Sequence, residues 1–460
     1  MSEASTPMAP LSWFAQAIGA RALGGDGEVR RVVTDSRLIR PGDLFVALRG
    51  ERFDGHDFVA GAARDGAIGV LCERALPDVP VTQLVVSDAL LGLQAAAQAW
   101  RGRFASPVVA VTGSNGKTTT KQLLAAVFAA RGPVLATRGN LNNHIGLPLT
   151  LLELREAHRT AVIEMGANHL GEIARLTGLA QPQVGVITQA GDAHLEGFGS
   201  REGVARGKGE LFAGMNSDGI AVINVDDAYA DLWRGLARGQ RLTFGIELPA
   251  DVSARRIRAR ADGSAFELVV PGGESQVDLP LPGRHNVMNA LAAAACGVAL
   301  GLAADVIAQG LAQVESAQGR VVWKTTRQGA RLIDDSYNAN PTSMRAGLEL
   351  LAQQGGARWA VLGGMAELGQ SSAALHEACG AHARKLGIER LFTLGPSGDA
   401  YARGYGAATE RYDDADALNR VLANDLGAGV TLLVKGSRSA RMERIVAAQC
   451  GETNRQEGSH

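Results

Sequence analysis

The fold is decided by residues 107–118, Pro107-Val-Val-Ala-Val-Thr-Gly-Ser-Asn-Gly-Lys-Thr118. The apolar residues 107–111 predict a buried strand, and Lys117–Ala130 predicts a helix. The glycine-rich turn between them lets successive backbone N–H groups face phosphate oxygens at a helix N-terminus. In such a turn Lys117 reaches the β- and γ-phosphates and the Thr118 hydroxyl binds Mg²⁺. The pattern therefore predicts a P-loop for a nucleoside triphosphate, with an ordinary glycine-rich turn as the weaker alternative.

Short apolar runs on both sides of this motif alternate with helical stretches, which is typical of mainly parallel sheets covered by helices. The pattern predicts three α/β domains: residues 1–105, a central domain at 106–317 built like a P-loop ATPase, and a Rossmann-like domain at 318–460. Linkers near 101–107 and 313–320 are the predicted hinges. The strand candidates outside the P-loop are residues 29–33, 44–47, 68–71, 84–86, 161–165, 184–188, 219–225, 330–333, 359–362, 390–394 and 430–434.

Composition excludes several classes of function. The 46 basic and 47 acidic residues leave a formal net charge of −1, which argues against a protein that binds nucleic acid by broad phosphate neutralisation. No apolar run reaches the ~18–20 residues that span a bilayer, and the first residues lack a signal-peptide pattern. The four cysteines are scattered, which fits reduced thiols better than disulfides or a zinc site. We therefore expect a cytoplasmic protein.

Three residues of the central segment are candidates for chemistry. Glu164 ends an apolar strand, where a carboxylate could hold the cation that bridges phosphates, although many strands end in an acid. His194 follows the next strand, and a single histidine in a loop is more often structural than a ligand. Lys208 is one of only six lysines in a chain with forty arginines, so it is a candidate for a role that a guanidinium cannot fill.

Polar loops also follow two strands of the third segment. These loops are Asp334-Asp-Ser-Tyr-Asn-Ala-Asn-Pro341 and Val434-Lys-Gly-Ser-Arg-Ser-Ala-Arg441. Each alone could be a turn. Because the carboxyl ends of parallel strands gather ligands, the two together indicate that this segment also faces a polar, anionic ligand.

Besides the P-loop, a series of short motifs follows in order along the chain: Thr34-Asp-Ser-Arg37, Pro41-Gly-Asp-Leu-Phe45, Asp54-Gly-His56, Gly139-Asn-Leu-Asn-Asn143, Glu164-Met-Gly-Ala-Asn168, Ala193-His-Leu-Glu-Gly-Phe198, Lys208-Gly-Glu210, Gly283-Arg-His-Asn286, residues 334–341 and Lys435-Gly-Ser-Arg438. Together these motifs resemble the Mur ligase family over nearly the whole chain. The absence of an opening G-x-G-x-x-G and of an Asp-Asn-Pro-Arg motif separates the chain from other branches and favours the dipeptide-adding branch.

The resemblance implies roles for individual residues. It assigns the nucleotide to Gly113, Ser114, Asn115, Gly116, Lys117, Thr118, Thr119, Asn286, Arg320 and Asp335, and catalysis to Lys117, Glu164, His194, Lys208, Arg320 and Asp335. It assigns the substrates to Ser36, Arg37, Asn140, Asn143, Asn338, Asn340 and Lys435, and Mg²⁺ to Thr118, Glu164, His194 and Lys208. The resemblance further implies that Lys208 carries CO₂ as a carbamate that binds a second Mg²⁺, which fits the chemistry because a lysine ammonium (pKa ~10.4) would repel a cation.

The activity that the resemblance implies is ATP-dependent ligation in peptidoglycan precursor synthesis. D-alanyl-D-alanine would be joined to UDP-N-acetylmuramoyl-tripeptide through an acyl phosphate, by a protein expected to be a monomer. The third residue of the tripeptide, diaminopimelate or lysine, stays open. Two alternatives remain: another Mur-type or folylpolyglutamate-type amide ligase, or a P-loop switch without ligation. The set of Glu164, His194 and Lys208 disfavours the switch, because a switch needs no second metal ion.

Overall fold

The chain folds around three large β-sheets, seen in a computed structural model that describes residues 6–51, 53–260, 262–315 and 318–451. A five-stranded sheet lies within residues 21–85, a nine-stranded sheet within 108–279 and a six-stranded sheet within 322–435. We refer to the N-terminal region (up to 105), the central region (106–315) and the C-terminal region (from 318). The predicted three-part α/β architecture is confirmed, while the precise domain limits stay a prediction.

The N-terminal sheet has the order β2-β7-β6-β5-β4, parallel except for β2. The predicted strand at 29–33 is wrong in extent, because Val29 pairs with Ala9 in a separate two-stranded ribbon while Val33 pairs with Phe45 in the sheet. The elements are β1 (Ala9–Pro10), α1 (Leu11–Ile18), β2 (Arg21–Leu23), β3 (Glu28–Val29), β4 (Arg31–Val33), β5 (Asp43–Val46), α2 (Val59–Arg64), β6 (Gly69–Cys72), β7 (Thr82–Val85) and α3 (Ala89–Arg101).

Helix α3 packs against the central region as well as its own sheet. The indole N–H of Trp100 donates to the carbonyl of Leu154 (3.1 Å), and the Arg101 guanidinium donates to the carbonyl of Ala180 (3.2 Å). Both side chains are buried. A hinge at 101–107 would have to break these contacts, so the structure does not support it. The other expected hinge, at 313–320, lies partly outside the described residues.

The central sheet has the order β16-β15-β14-β13-β12-β11-β8-β10-β9, and strands β8–β13 are parallel. Its strands are β8 (Val108–Thr112), β9 (Val134–Ala136), β10 (Thr160–Glu164), β11 (Val184–Ile187), β12 (Ile220–Asn224), β13 (Gln240–Gly245), β14 (Val252–Ala259), β15 (Ser264–Val270) and β16 (Gly273–Leu279). Its helices are α4 (Lys117–Phe128), α5 (Gly146–Leu151), α6 (Glu172–Ala180), α7 (Leu195–Phe198), α8 (Arg201–Gly214), α9 (Ala230–Leu236), α10 (Arg284–Ala299) and α11 (Ala304–Ala312).

Strands β14–β16 extend this sheet in antiparallel fashion and have no counterpart in the sequence-based prediction. In β14, the adjacent exposed arginines at 255 and 256 interrupt the apolar pattern, because a β-bulge shifts the register with β15 between Arg255 and Arg258. The strands that matter most for the site are β11, β8 and β10. They are neighbours, so Ile187, Thr112 and Glu164 end at one sheet edge.

The C-terminal sheet has the order β17-β18-β22-β19-β20-β21 and is parallel except for β17. Parallel register sets Asp335 beside Lys435 at the ends of β18 and β22. In the described part of the chain no helix is both long and apolar enough to span a membrane. The elements are β17 (Val322–Thr325), β18 (Arg331–Asp335), α12 (Pro341–Ala352), β19 (Ala357–Gly363), α13 (Ser372–Lys385), β20 (Arg390–Leu394), α14 (Gly398–Tyr405), β21 (Glu410–Tyr412), α15 (Ala415–Asp425), β22 (Val430–Lys435) and α16 (Glu443–Cys450).

Candidate active site

The turn between β8 and α4 requires glycine at two positions. Gly113 and Gly116 have φ of 146° and 81°, a range that side chains rarely adopt. A Cβ at Gly113 would also overlap the Thr188 hydroxyl, and one at Gly116 would overlap the Asn289 carboxamide. The loop is therefore held tightly between β11 and α10, with its N–H groups at the start of α4.

Lys117 opens α4 and its ammonium group donates to the carbonyl of Gly113 (2.7 Å). Burial lowers the pKa of Lys117, the nearby Glu164 carboxylate raises it, and the charge of Arg320 lowers it further. Arg320 comes from the C-terminal region, so two regions place cationic groups around one spot. Thr119 lies half-buried in the same first turn.

Glu164 sits at the end of β10 and is buried. Its carboxylate accepts from the Thr118 hydroxyl (3.1 Å) and from the Asn142 amide (2.8 Å), and it pairs with the Lys121 ammonium (3.1 Å). Burial by itself would raise the pKa of Glu164, but Lys121 and Lys117 hold it below its ordinary value. The carboxylate is thus ionised at neutral pH and lies beside a hydroxyl oxygen.

Sequence reasoning missed Lys121. It lies one helical turn after Lys117, and residues four apart share a helix face, so the spacing together with the scarcity of lysine could have identified it. Asn142 and Asn289 were missed as well. Asn289 donates to Asn286 (3.1 Å), whose own amide donates to the carbonyl of Pro282 (2.8 Å). Asn286 therefore supports the P-loop from behind through Asn289.

Ser114 and Asn115 connect the P-loop to its surroundings. The Ser114 hydroxyl accepts from the backbone N–H of Gly191 (2.9 Å). The side-chain oxygen of Asn115 accepts from the Asn340 side-chain amide (2.7 Å), a contact between the central and C-terminal regions. The Asn115 amide nitrogen is buried and, among the described residues, has no hydrogen-bond partner. A buried donor without a partner is costly, which is a signature of a ligand site.

Lys208 lies on α8 and is fully buried. Its ammonium group donates to the carbonyl of Ala167 (3.2 Å) and lies 5.1 Å from the centre of the Phe198 ring. Burial, and secondarily the charge of Lys117, lowers the pKa of Lys208 to about 7. This amine is therefore neutral to a large extent at physiological pH.

His194 precedes the short helix α7 and has a left-handed backbone (φ 55°). Its Nδ1 contacts the Glu367 carboxylate, which belongs to the C-terminal region and was missed by sequence reasoning. His194 and Lys208 therefore flank the same helical turn without a direct contact between them being seen. No cluster of three or more acidic, histidine or cysteine ligands is found in the described ranges.

The predicted site residues Asp335 and Lys435 lie at the carboxyl ends of β18 and β22 in the C-terminal sheet. Lys435 pairs with Asp335 (2.5 Å) and donates to the carbonyl of Asn338 (3.0 Å). The Arg320 guanidinium stacks 4.4 Å from the centre of the Tyr337 ring. Asn338 is exposed, whereas Asn340 is buried and caps α12 by accepting from the N–H of Ser343 (3.0 Å).

The remaining substrate candidates lie in two loops. Ser36 and Arg37 occupy a 3₁₀ turn capped by Asp35, and the exposed Arg37 pairs with that carboxylate (2.7 Å). Asn140 and Asn143 lie on either side of Asn142, which donates to Glu164, and Asn140 is exposed. The side chain of Asn143 accepts from the N–H of Gly146, the first residue of α5 (2.8 Å). The contact of Asn143 thus has a structural function, while Arg37 presents a guanidinium to solvent.

Known protein families match most of the chain. Models described as the Mur ligase family catalytic domain, the Mur ligase middle domain and the Mur ligase glutamate ligase domain match residues 28–99, 111–297 and 319–438. The chain is 42% identical over 443 residues to UDP-N-acetylmuramoyl-tripeptide–D-alanyl-D-alanine ligase of Escherichia coli K12, covering 95% of this chain and 97% of the relative.

Solved structures agree with the sequence relatives. A MurF crystal structure from Acinetobacter baumannii superposes with a TM-score of 0.91 at 37% identity, covering 96% of this chain and 99% of that one. A MurF ligase from Thermotoga maritima in complex with ADP has a TM-score of 0.80 at 29% identity, covering 92% and 97%. With three ordered domain matches and relatives similar over nearly their full length, the chain belongs to the Mur ligase family.

Proposed function

We propose that this protein is an ATP-dependent ligase that joins D-alanyl-D-alanine to UDP-N-acetylmuramoyl-tripeptide, forming the pentapeptide precursor of peptidoglycan. The observation that carries the proposal is the meeting of Lys117, Glu164 and Arg320 around the P-loop, in a chain 42% identical to such a ligase. The unpartnered Asn115 amide at this point supports nucleotide binding. The ADP bound by the relative from Thermotoga maritima supports ATP as the nucleotide.

The reaction runs in two displacements. The terminal carboxylate of the tripeptide attacks the γ-phosphorus of ATP, which forms an acyl phosphate and releases ADP. The amine of D-alanyl-D-alanine then attacks the acyl carbon, loses a proton and expels inorganic phosphate. Because carboxylate and triphosphate are both anionic, Lys117 and Arg320 lower their repulsion and stabilise the charge on the transferring phosphoryl group.

The residues beside the P-loop fit a magnesium ion. Thr118 and Glu164 offer a hydroxyl and an ionised carboxylate side by side, and Mg²⁺ prefers such oxygen ligands. When bound there, the ion supplies charge stabilisation at the phosphate oxygens. Lys121 keeps Glu164 ionised and Asn142 orients it, so these two residues prepare the carboxylate for its ligand.

A second cation and a lysine carbamate are part of the same proposal. The nitrogen lone pair of neutral Lys208 would bond to the carbon of CO₂, and loss of one proton leaves a carbamate anion. The burial of Lys208 and its pKa of about 7 support this, since the reactive species is the neutral amine. The carbamate and His194 would hold the second Mg²⁺.

Loss and rescue of activity test the carbamate. We expect Lys208→Ala to abolish ligation and short carboxylic acids at high concentration to restore part of it. Lys385→Ala, at an exposed lysine at the end of α13, is the matched control. Failure of both carboxylic acids and bicarbonate to rescue Lys208→Ala would contradict the carbamate.

The substrates would extend over all three regions. Ser36 and Arg37 would hold the UDP end, since a guanidinium suits diphosphate oxygens. Asn338 and Lys435 would face the peptide and dipeptide. The larger set of nucleotide and substrate residues expected from the family motifs is retained, with two adjustments from the contacts above. Asn340 would act through Asn115, and Asn143 would act by fixing the start of α5.

We also propose that the protein works as a monomer in the cytoplasm, where ATP is available, with domain limits near 105 and 317. Each of the three large sheets lies entirely within one of these segments, which supports the domain limits. Light scattering of the purified chain tests the oligomeric state, and a stable dimer would contradict it.

Phosphate release tests the function itself. The assay contains ATP, Mg²⁺ and UDP-N-acetylmuramoyl-tripeptide, with the third residue either diaminopimelate or lysine, and is run with and without D-alanyl-D-alanine. Release that needs both substrates, with a product heavier by the dipeptide, supports the proposal. Release that ignores both indicates a P-loop switch. Release that needs the nucleotide sugar but is indifferent to the dipeptide indicates another Mur-type ligase.

A further inference from the structure

The loop between β19 and α13 reaches from the C-terminal region to the central region. The Glu367 carboxylate in this loop contacts Nδ1 of His194, and the Glu367 carbonyl accepts from the backbone N–H of Glu196 (3.3 Å). Glu367 thus contacts both His194, which precedes α7, and the first turn of α7 itself.

Both residues of this contact have unusual backbones. His194 and Glu367 have φ of 55° and 60°, in the left-handed region that non-glycine residues seldom adopt. Such conformations persist only where the surroundings over-determine them, and they concentrate at functional sites. Their occurrence on both sides of one contact between regions indicates that the contact is built rather than incidental.

The loop is anchored firmly in the C-terminal region. Nε2 of the buried His376 accepts from the N–H of Met365 (2.9 Å), and Nδ1 of His376 donates to the carbonyl of Ser372 (2.7 Å). The Tyr401 hydroxyl donates to the carbonyl of Gly363 (3.0 Å). Glu367 therefore moves with the C-terminal region, and its contact with His194 exists only when that region is seated on the central one.

The chemistry of the pair determines the state of the imidazole. An ionised carboxylate only accepts hydrogen bonds, so the proton of a neutral His194 ring lies on Nδ1 and leaves a lone pair on Nε2. A carboxylate behind a histidine in this way fixes ring orientation and tautomer for metal binding through the other nitrogen.

We propose that Glu367 is a positioning residue that orients Nε2 of His194 toward the second divalent cation, so that this cation site is completed by closure of the C-terminal region. The inference rests on the proposed function only in taking His194 and Lys208 as ligands of that cation. If this is so, the affinity of the second cation site reports on closure, because Glu367, which orients His194, belongs to the C-terminal region.

Manganese binding tests the proposal without turnover. Mn²⁺ is titrated into the full chain with a non-hydrolysable ATP analogue and followed by electron paramagnetic resonance. We expect two sites in the wild type and a second-site affinity 10–100-fold weaker in Glu367→Gln, the range seen when a carboxylate behind a metal-binding histidine is lost. Glu367→Asp, which retains the carboxylate, should recover part of the affinity.

The matched control is Glu349→Gln. Glu349 pairs with His382 (3.1 Å) inside the C-terminal region, and its side chain is 53% exposed against 47% for Glu367. We expect this variant to bind Mn²⁺ like the wild type. Selective ¹⁵N-histidine spectra, assigned with His194→Gln, should show the His194 tautomer changing in Glu367→Gln alone.

Each of three Mn²⁺-binding results would overturn the proposal: a single Mn²⁺ site in the wild type, a second-site affinity within threefold of wild type in Glu367→Gln, or an equal loss in Glu349→Gln. A lowered unfolding midpoint with unchanged Mn²⁺ binding would show a purely structural contact and also overturn it. Failure of the proposed ligation appears elsewhere, as absence of dipeptide-dependent phosphate release by the wild type, and leaves the Mn²⁺ titration interpretable.

Discussion

The two junctions of the central region differ in chemistry. Toward the N-terminal region, one continuous apolar cluster includes Phe14 and Trp100 on one side and Leu151 and Ile173 on the other. The guanidinium of Arg103 stacks 4.7 Å from the centre of the Trp100 ring and 5.4 Å from that of Trp13. Separating these two regions would expose a shared core to water.

Toward the C-terminal region the junction is polar. Its contacts include the Asn115–Asn340 hydrogen bond and the His194–Glu367 pair, and the apolar clusters of the C-terminal region consist of residues from 321 onward. Polar contacts exchange readily with water, so their net contribution is small. The N-terminal and central regions therefore share an apolar core, whereas the C-terminal junction can separate at a smaller cost in free energy. We predict that the closing motion that protects an acyl phosphate from water belongs to the C-terminal region.

The largest effect is expected for a substitution that disrupts the apolar junction between the N-terminal and central regions. Trp100→Ala should lower the free energy of unfolding by about 3–5 kcal/mol, because it removes a buried aromatic ring and its indole hydrogen bond. Urea denaturation measures the change. Leu91→Ala, at an exposed position on the same helix, should change stability by less than about 0.5 kcal/mol. Equal effects of the two variants would argue against a shared core.

The next largest effect is expected on catalysis, at the P-loop beside the polar junction. Lys117→Ala should reduce the rate of ligation on the order of 10²–10³-fold, or ~3–4 kcal/mol of transition-state stabilisation, by analogy with the loss of one preorganised electrostatic partner. Lys385→Ala, at an exposed lysine, is the control. Steady-state rates of Lys117→Ala within threefold of the wild type would remove Lys117 from the mechanism.

The pH dependence of stability tests the burial of Lys208 in the central region. Lys208 has a folded-state pKa of about 7, below its ordinary value of ~10.4. Between these two values the unfolded chain binds one more proton at this site than the folded chain, so stability rises with pH. The unfolding free energy of the wild type minus that of Lys208→Met should therefore increase by up to ~1.4 kcal/mol per pH unit from about pH 7 upward.

Urea denaturation at fixed pH values, in buffers depleted of CO₂, checks this slope. Lys385→Met should show no such difference from the wild type, because its side chain is exposed. A flat difference for Lys208→Met across pH 7–9 would show that the ammonium of Lys208 is not desolvated.

The smallest effect tunes closure. Asn340→Ser keeps a side-chain oxygen to cap α12 but removes the amide that donates to Asn115. Since serine caps helices about as well as asparagine, stability should change by only a few tenths of a kcal/mol. Loss of one hydrogen bond, about 0.5–1.5 kcal/mol, should lower the closed-to-open ratio roughly 2–10-fold.

Fluorescence energy transfer between dyes on the central and C-terminal regions, with ATP analogue present, measures that ratio. Asn216→Ser, in an exposed loop of the central region, is the control and should leave the ratio unchanged. An unchanged ratio in Asn340→Ser would show that this hydrogen bond has no part in closure.

The local features of this protein can be predicted from the amino-acid sequence. The strand-turn-helix around Gly113 and Lys117 can be read from adjacent residues, because glycine-rich turns and apolar periodicity act over a few positions. Glu164 at a strand end and the scarce Lys208 could be singled out for the same reason. The three-part α/β architecture also followed from alternating local patterns, although the amphipathic strands β14–β16 did not stand out.

Which side chains pair with one another depends on the tertiary structure. Lys121 meets Glu164, Asp335 meets Lys435, and Glu367 meets His194, pairs separated by between 43 and 173 positions. Strand order determines the first two pairs: β8, which leads into α4 and Lys121, neighbours β10, which ends at Glu164, and the neighbouring parallel strands β18 and β22 end at Asp335 and Lys435. The packing of the C-terminal region against the central region determines the third pair. The same holds for α3, whose apolar face reads as an ordinary core stripe but is shared between two regions. Residue type sets which chemistry is available, and packing free energy summed over the whole chain sets which groups meet.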